Sequence, residues 1–266
     1  MLVLLFDEKH STICFSSTST EAALSTSEFV LIGFAVLFSS LIQTVTGFGF
    51  ALLAVPLMSM AVPTETAVVI AATLGTFTSG GQAWTERHHG DHSAMKRLTL
   101  AAFVGAPFGL VVLVVASSQQ LKIGLAVVIV VFLIVNLRGF KLEQASTPID
   151  LAAGFVAGVL STSLSTNGPP LVMALHARHF SPQVFRATIS SVFVSIGLLS
   201  LVLFAATGHF TIDVAWSLLV AGPTLVLGFF LGHRIRGHID PVRFRSLVTL
   251  LLAATAVVTI VSVIAG

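Results

Sequence analysis

Two short stretches hold most of the side chains that could act on a ligand: Gln43-Thr44-Val45-Thr46-Gly47-Phe48-Gly49 and Ser163-Leu164-Ser165-Thr166-Asn167-Gly168-Pro169-Pro170. Every polar side chain in them is uncharged. Their amides and hydroxyls suit hydrogen bonding to oxyanions and form no acid–base pair. Both stretches interrupt long apolar runs with Gly or Pro, a break tolerated in hydrocarbon only where it is buried in protein or lines a wet cavity. Pro169 and Pro170 fit the first turn of a new helix, and Thr166 and Asn167 are cap residues ahead of it. In the first stretch Thr46 is the cap candidate, and Gly47 and Gly49 permit close backbone approach. Two helix N-termini would then face one region. Each carries roughly half a positive charge and several free N–H groups, an anion site that needs no buried Lys or Arg. The candidate binding residues are Gln43, Thr46, Gly47, Phe48, Gly49, Ser165, Thr166, Asn167, Gly168, Pro169 and Pro170.

Titratable groups near these stretches are few. His176 follows Gly168 within the second interrupted segment and is the candidate coupling residue, while Arg178 and Arg186 are candidates for guiding anions to a cytoplasmic mouth. Glu65, just after Pro63, reads as serving a helix terminus. His88, His89 and His92 lie in a loop without carboxylates in a fixed frame, which argues against a metal site. No span carries a convergent acid, base and nucleophile, so an intramembrane enzyme is disfavoured and no cofactor is expected. Cys14 is the sole cysteine, which excludes an internal disulfide.

The elements that must position these residues are membrane spans. The 266 residues are 55% hydrophobic and 9% charged, with a mean hydropathy of +1.01, whereas soluble domains carry about 25% charged residues. Residues 98–116, 121–137, 214–231 and 247–265 are nearly uncharged runs of the roughly 20 residues a bilayer-crossing helix needs. Their apolarity is continuous rather than alternating, which selects helices over a barrel. The net charge of +2 comes from scattered Lys and Arg without a basic stripe, so nucleic acid is not an expected partner. Residues 1–27 read as a mobile tail, too weakly apolar for a signal peptide.

The spans fall into two similar halves, 28–140 and 150–266. Gly33 and Gly154 lie 121 residues apart, as do Gly47 and Gly168, and Pro63/Pro182, Gly90/Gly208 and Pro107/Pro223 continue the series. Each half reads as a broken segment (28–45 with 49–62; 150–166 with 169–180) followed by three spans (64–83, 95–116, 119–137; 182–206, 213–232, 243–265). Basic residues cluster at Arg87/Lys96/Arg97, Arg138/Lys141, Arg178/Arg186 and Arg234/Arg236/Arg243/Arg245. All four clusters fall on the cytoplasmic side only if each broken segment enters and returns as a hairpin. The halves are then inverted relative to each other, an organisation that secondary transporters use. Trp84 and Trp216 sit at span ends as interface anchors. The expected fold is an all-α integral membrane protein of two inverted repeats, each a broken-helix hairpin plus three transmembrane helices.

From Phe29 to Ala265 the sequence resembles the sulfite exporter TauE/SafE family of membrane transporters. The likeness rests on the duplicated halves, on Thr46-Gly47-Phe48-Gly49 with Pro56, and on Asn167-Gly168-Pro169-Pro170. The family's first motif has adjacent glycines after the first Gly. Here Phe48 intervenes and Phe50 follows, which reshapes the pocket. The resemblance implies a multi-pass protein of the cytoplasmic membrane that moves a small anion, such as sulfite, an organosulfonate or a related sulfur-containing anion, by alternating access. A proton is the candidate coupling ion. An anion channel and a small-carboxylate transporter are the alternatives. Oligomeric state and direction of transport stay open.

Overall fold

A computed structural model describes residues 26–138 and 146–235, together with Ala253 and Val257. In chain order the helices are α1 (Thr26–Thr46), α2 (Phe50–Met58), α3 (Thr64–Glu86), α4 (His92–Val115), α5 (Ser118–Leu137), α6 (Thr147–Leu164), α7 (Gly168–His176), α8 (Pro182–Ala206) and α9 (Ile212–Ile235), and no strand occurs among the described residues. The span expected over 243–265 apart from Ala253 and Val257, the basic residues Lys141, Arg236, Arg243 and Arg245, and residues 1–25 of the expected tail lie outside the described residues. Thr26 and Ser27, assigned to the tail by sequence, already belong to α1.

Helices α1, α4, α5, α6, α8 and α9 are long and apolar enough to cross a membrane. Helix α3 has 23 residues, about 35 Å at 1.5 Å per residue, but is more polar. Its Thr73, Thr76, Thr78, Ser79 and Gln82 are all buried inside the protein, so the polarity faces other helices rather than lipid. The lipid-facing side is supplied by rows such as Val104, Phe108, Val111 and Val115 on α4 and Leu219, Leu227 and Phe230 on α9, all exposed. In water such surfaces would drive association; in a bilayer they match the solvent.

Glycine decides which helices approach closely. A Cβ on Gly105, Gly109, Gly154 or Gly158 would collide with the facing backbone of α4 or α6, and one on Gly228 or Gly232 with the backbone of α1. Contacts such as Leu98 with Gly154 and Ala102 with Gly158 advance together along the two chains, so α4 and α6 run parallel. Leu37 with Gly228 and Leu41 with Gly232 make α1 and α9 parallel in the same way. Close approach lets hydroxyls reach foreign carbonyls: Thr162 Oγ1 donates to Ala106 O at 2.6 Å and Ser40 Oγ to Leu225 O at 2.9 Å. Small residues are what let membrane helices pack this closely.

Each close pair joins the broken helix of one half to a scaffold helix of the other. Helices α3 and α8 cross between them in opposite directions: Thr76 meets Gly197, Gln82 meets Ser190 and Glu86 meets Arg186. The pairings α1 with α9, α4 with α6 and α3 with α8 are compatible with two inverted halves. Direct evidence for a returning hairpin comes from Arg178, just past the end of α7, which donates to Asp150 in the first turn of α6. Arg87, Arg97, Arg138, Arg178, Arg186 and Arg234 all lie at the end of the bundle where α3 finishes. At the opposite end Ser118 donates to Glu65 at 2.8 Å and accepts from the Thr64 amide at 3.0 Å, so Glu65 holds α5 against the start of α3. Trp84 and Trp216 are exposed near opposite ends of the bundle, and Arg87 stacks over Trp84 at 4.7 Å.

Candidate functional site

Both breaks line one central cavity. The first half contributes Gln43 from α1, Gly49 to Leu52 at the start of α2, and Gly75, Thr76 and Ser79 from α3. The second half contributes Ser161 of α6, Ser165 to Gly168, and Phe193 and Gly197 of α8. Polar groups face one another across walls built of Phe50, Leu52 and Phe193, the mixture that orients a small polar ligand in a largely apolar pocket.

The first break is a double-glycine turn. Gly47 (φ 91°) and Gly49 (φ 99°) both occupy the left-handed region, which L side chains enter only with strain. The Gly47 amide closes α1 by donating to Gln43 O at 2.7 Å. Thr46 does not cap α2, contrary to the sequence expectation. Its Oγ1 donates within reach of Ile42 O and Phe48 O and accepts from the Phe48 amide at 3.2 Å, which leaves Gly49 at the cap position without a side-chain cap. The leading amides of α2, at Gly49, Phe50, Ala51 and Leu52, have no intrahelical acceptor, and all four residues line the cavity.

The second break is built from different residues. Ser165 adopts φ 57° and ends α6, with its amide donating to Ser161 O at 3.0 Å and the Thr166 amide to Leu160 O at 3.0 Å. Asn167 occupies the cap position of α7, but neither it nor Thr166 caps the helix. Thr166 Oγ1 donates to Leu164 O, and Asn167 Nδ2 donates to Ser161 Oγ at 3.3 Å. Pro169 and Pro170 do occupy the first turn, where they supply no N–H. Only the Asn167 and Gly168 amides remain at this terminus, so α2 is the richer donor end.

The structure also revises the motif pairing. Gly168 begins α7, whereas Gly47 ends α1 and α2 begins three residues later at Phe50. The position equivalent to Asn167 is therefore Gly49, and the shift arises because α1 has 21 residues where α6 has 18.

Of the expected binding residues, Gln43, Gly49, Ser165, Thr166, Asn167 and Gly168 line the cavity. Phe48 stands behind it, 3.6 Å from where a Cβ on Gly168 would lie and edge-on to Phe132 at 6.2 Å. Thr46, Gly47, Pro169 and Pro170 shape the turns rather than the cavity wall. His176 ends α7 at the arginine-bearing end of the bundle, exposed and edge-on to Phe185 at 5.4 Å. Arg178 is held by Asp150, which also accepts from Arg97 Nε at 2.8 Å, and Arg186 Nε donates to Glu86 Oε1 at 3.1 Å. No group of three or more His, Cys, Asp or Glu among the described residues could hold a metal ion.

Sequence reading missed the α3 and α8 walls. The signal was present as the run Gly75-Thr76-Phe77-Thr78-Ser79-Gly80-Gly81-Gln82, since polar residues inside a membrane helix face a bundle interior or a cavity. Gln43 Nε2 donates to Ser79 Oγ at 2.7 Å, which ties α1 to that wall. Glu86 and Asp150, buried at helix ends, were also passed over as members of ion pairs.

The family model for the sulfite exporter TauE/SafE matches residues 31–259, nearly the whole chain. No match to a curated protein or to a solved structure is found. The chain belongs to the sulfite exporter TauE/SafE family, and it is a multi-pass membrane protein of a transporter family.

Proposed function

We propose that this member of the TauE/SafE family is a secondary transporter that carries a small sulfur-containing oxyanion, such as sulfite or an organosulfonate, across the cytoplasmic membrane. The anion sits in the central cavity between the two breaks. The carrying observation is that the uncapped start of α2 and the Asn167–Gly168 turn line the same cavity from opposite halves of the chain. Amide dipoles and N–H groups there stabilise negative charge without a buried cation. The Asn167 amide group and the Ser79 and Ser165 hydroxyls complete the donor set, and they suit tetrahedral or pyramidal oxygens better than a halide.

The packing supports transport by alternating access. In each half the broken hairpin is bound to a scaffold helix of the other half, α1 to α9 and α6 to α4, so the two units can rock about the central α3–α8 crossing with the anion at the crossing. This gives alternating access with the site near the midplane. The test is counterflow in proteoliposomes loaded with sulfite, organosulfonates, thiosulfate or small carboxylates. Accumulation of labelled sulfite against an unlabelled internal pool supports the reading. Flux that runs only down its gradient, with no counterflow, marks a channel, and counterflow with carboxylates alone moves the substrate class.

A further inference from the structure

From the cavity to the cytoplasmic face the seam between α3 and α8 is polar throughout. Ser79, in the cavity wall, accepts from Gln43. One turn below, Gln82 Nε2 donates to the carbonyls of Gln43 and Thr44 at 3.0 and 2.9 Å, and its Oε1 accepts from Ser190 Oγ at 3.2 Å. A further turn down, Arg186 meets Glu86. Ser79, Gln82 and Glu86 share one face of α3 by helical spacing, as Arg186 and Ser190 share one face of α8. The outer end of the same helix pair is different. Ala67, Val68 and Leu74 of α3 and Ile196 and Phe204 of α8 are buried and apolar, and among the described residues no side-chain hydrogen bond joins α3 to α8 there. Hydrogen bonds thus join α3 to α8 from the cavity down to Arg186, whereas on the other side of the cavity the buried Ser161–Ser200 pair joins α6 to α8 at 3.2 Å.

The basic side chains at that end are not equivalent. Arg97 and Arg178 both serve Asp150, whose carboxylate is 0% exposed, so together they neutralise a charge on α6. Arg186 shares one carboxylate, that of Glu86, across the two halves, with side-chain exposures of 14% and 7%. The stem of Arg186 lies against the first break: its Cγ is 2.9 Å from where a Cβ on Gly47 would stand. A carboxylate on a guanidinium offers the same oxygens that a transported oxyanion would offer.

We propose that Arg186 is the cytoplasmic docking residue for the transported oxyanion and that Glu86 is its built-in competitor. The anion displaces the Glu86 carboxylate from Arg186, passes along Ser190, Gln82 and Ser79 to the cavity, and Glu86 then returns to close the route. This rests on the anion-transport reading and adds to it a named entry residue and a regulator.

The test uses labelled sulfite in inside-out and right-side-out vesicles containing wild type, E86Q, R186Q, R186K or the E86Q/R186Q pair. Removing the competitor charge should lower the cytoplasmic-side KM of E86Q about tenfold, the scale of one charge-assisted hydrogen bond, with the KM on the other side unchanged. R186Q should raise the cytoplasmic-side KM by about tenfold or more, and adding E86Q to it should change nothing further. R186K, which keeps the charge but loses the forked donors, should also raise it, and this variant serves if R186Q does not insert. A pair that only tethers α3 to α8 predicts instead that E86Q and R186Q shift both faces in the same direction, and that outcome overturns the proposal. Normal wild-type flux with an unchanged E86Q KM overturns the competitor role alone. A wild type that moves no anion overturns the transport reading beneath it.

Discussion

At the scale of single residues, the site depends on helix-start amides that no side chain caps. Asn167 shows how this arises: it stands at a cap position, yet its side chain donates to Ser161 and leaves the helix start open. N167L should reduce sulfite flux about 10- to 100-fold, the range expected for losing a donor to a charged group, with unchanged thermal stability in detergent; wild-type flux would remove Asn167 from the site. Gly47 plays another part. G47L places a side chain at φ 91° and against Arg186, and the left-handed backbone alone costs about 1–2 kcal/mol, so a lowered melting temperature is expected. The sequence made these residues visible because Gly, Pro and Asn inside apolar runs have few other uses. Their division of labour was not visible. Thr46 looks like a cap in one dimension, but its hydroxyl is taken by its own turn.

At the scale of elements, the parallel contacts of α4 with α6 and α1 with α9 rest on glycine. G158L drives a branched side chain into the Ala102 backbone, and overpacking of this kind typically costs about 1–3 kcal/mol or more. The expected result is loss of monodisperse protein on size exclusion, whereas G124L, whose Cβ meets only Leu164 at 3.7 Å, should be tolerated. Equal behaviour of the two variants would contradict the packing argument. Span positions were legible from hydropathy to within a few residues, and α8 at 182–206 matches its expected bounds. The partners of each span were not legible. Glycines that pack against foreign backbone carry the same letter as glycines that turn, and only three dimensions separate Gly105 from Gly49.

For the whole molecule, the Arg178–Asp150 pair closes the second hairpin at the arginine-bearing end of the bundle, the end that the positive-inside rule assigns to the cytoplasm. In a C14S background, H89C should react with a membrane-impermeant maleimide only from the cytoplasmic side and T207C only from the other; labelling of both from one side would refute the topology. Five landmarks pointed to two duplicated halves, with which the helix pairings are compatible, yet the three-residue slip at the break was not readable, because Gly47 and Gly168 match in letter while serving opposite helix ends. The most direct measurement of the central claim is a crystal structure soaked with selenite, a heavier analogue of sulfite, with data collected at the selenium edge. An anomalous peak within the cavity, with the selenite oxygens about 2.7–3.2 Å from the leading amides of α2 and from Asn167, is the predicted result. A peak elsewhere in the protein with this cavity empty would contradict it.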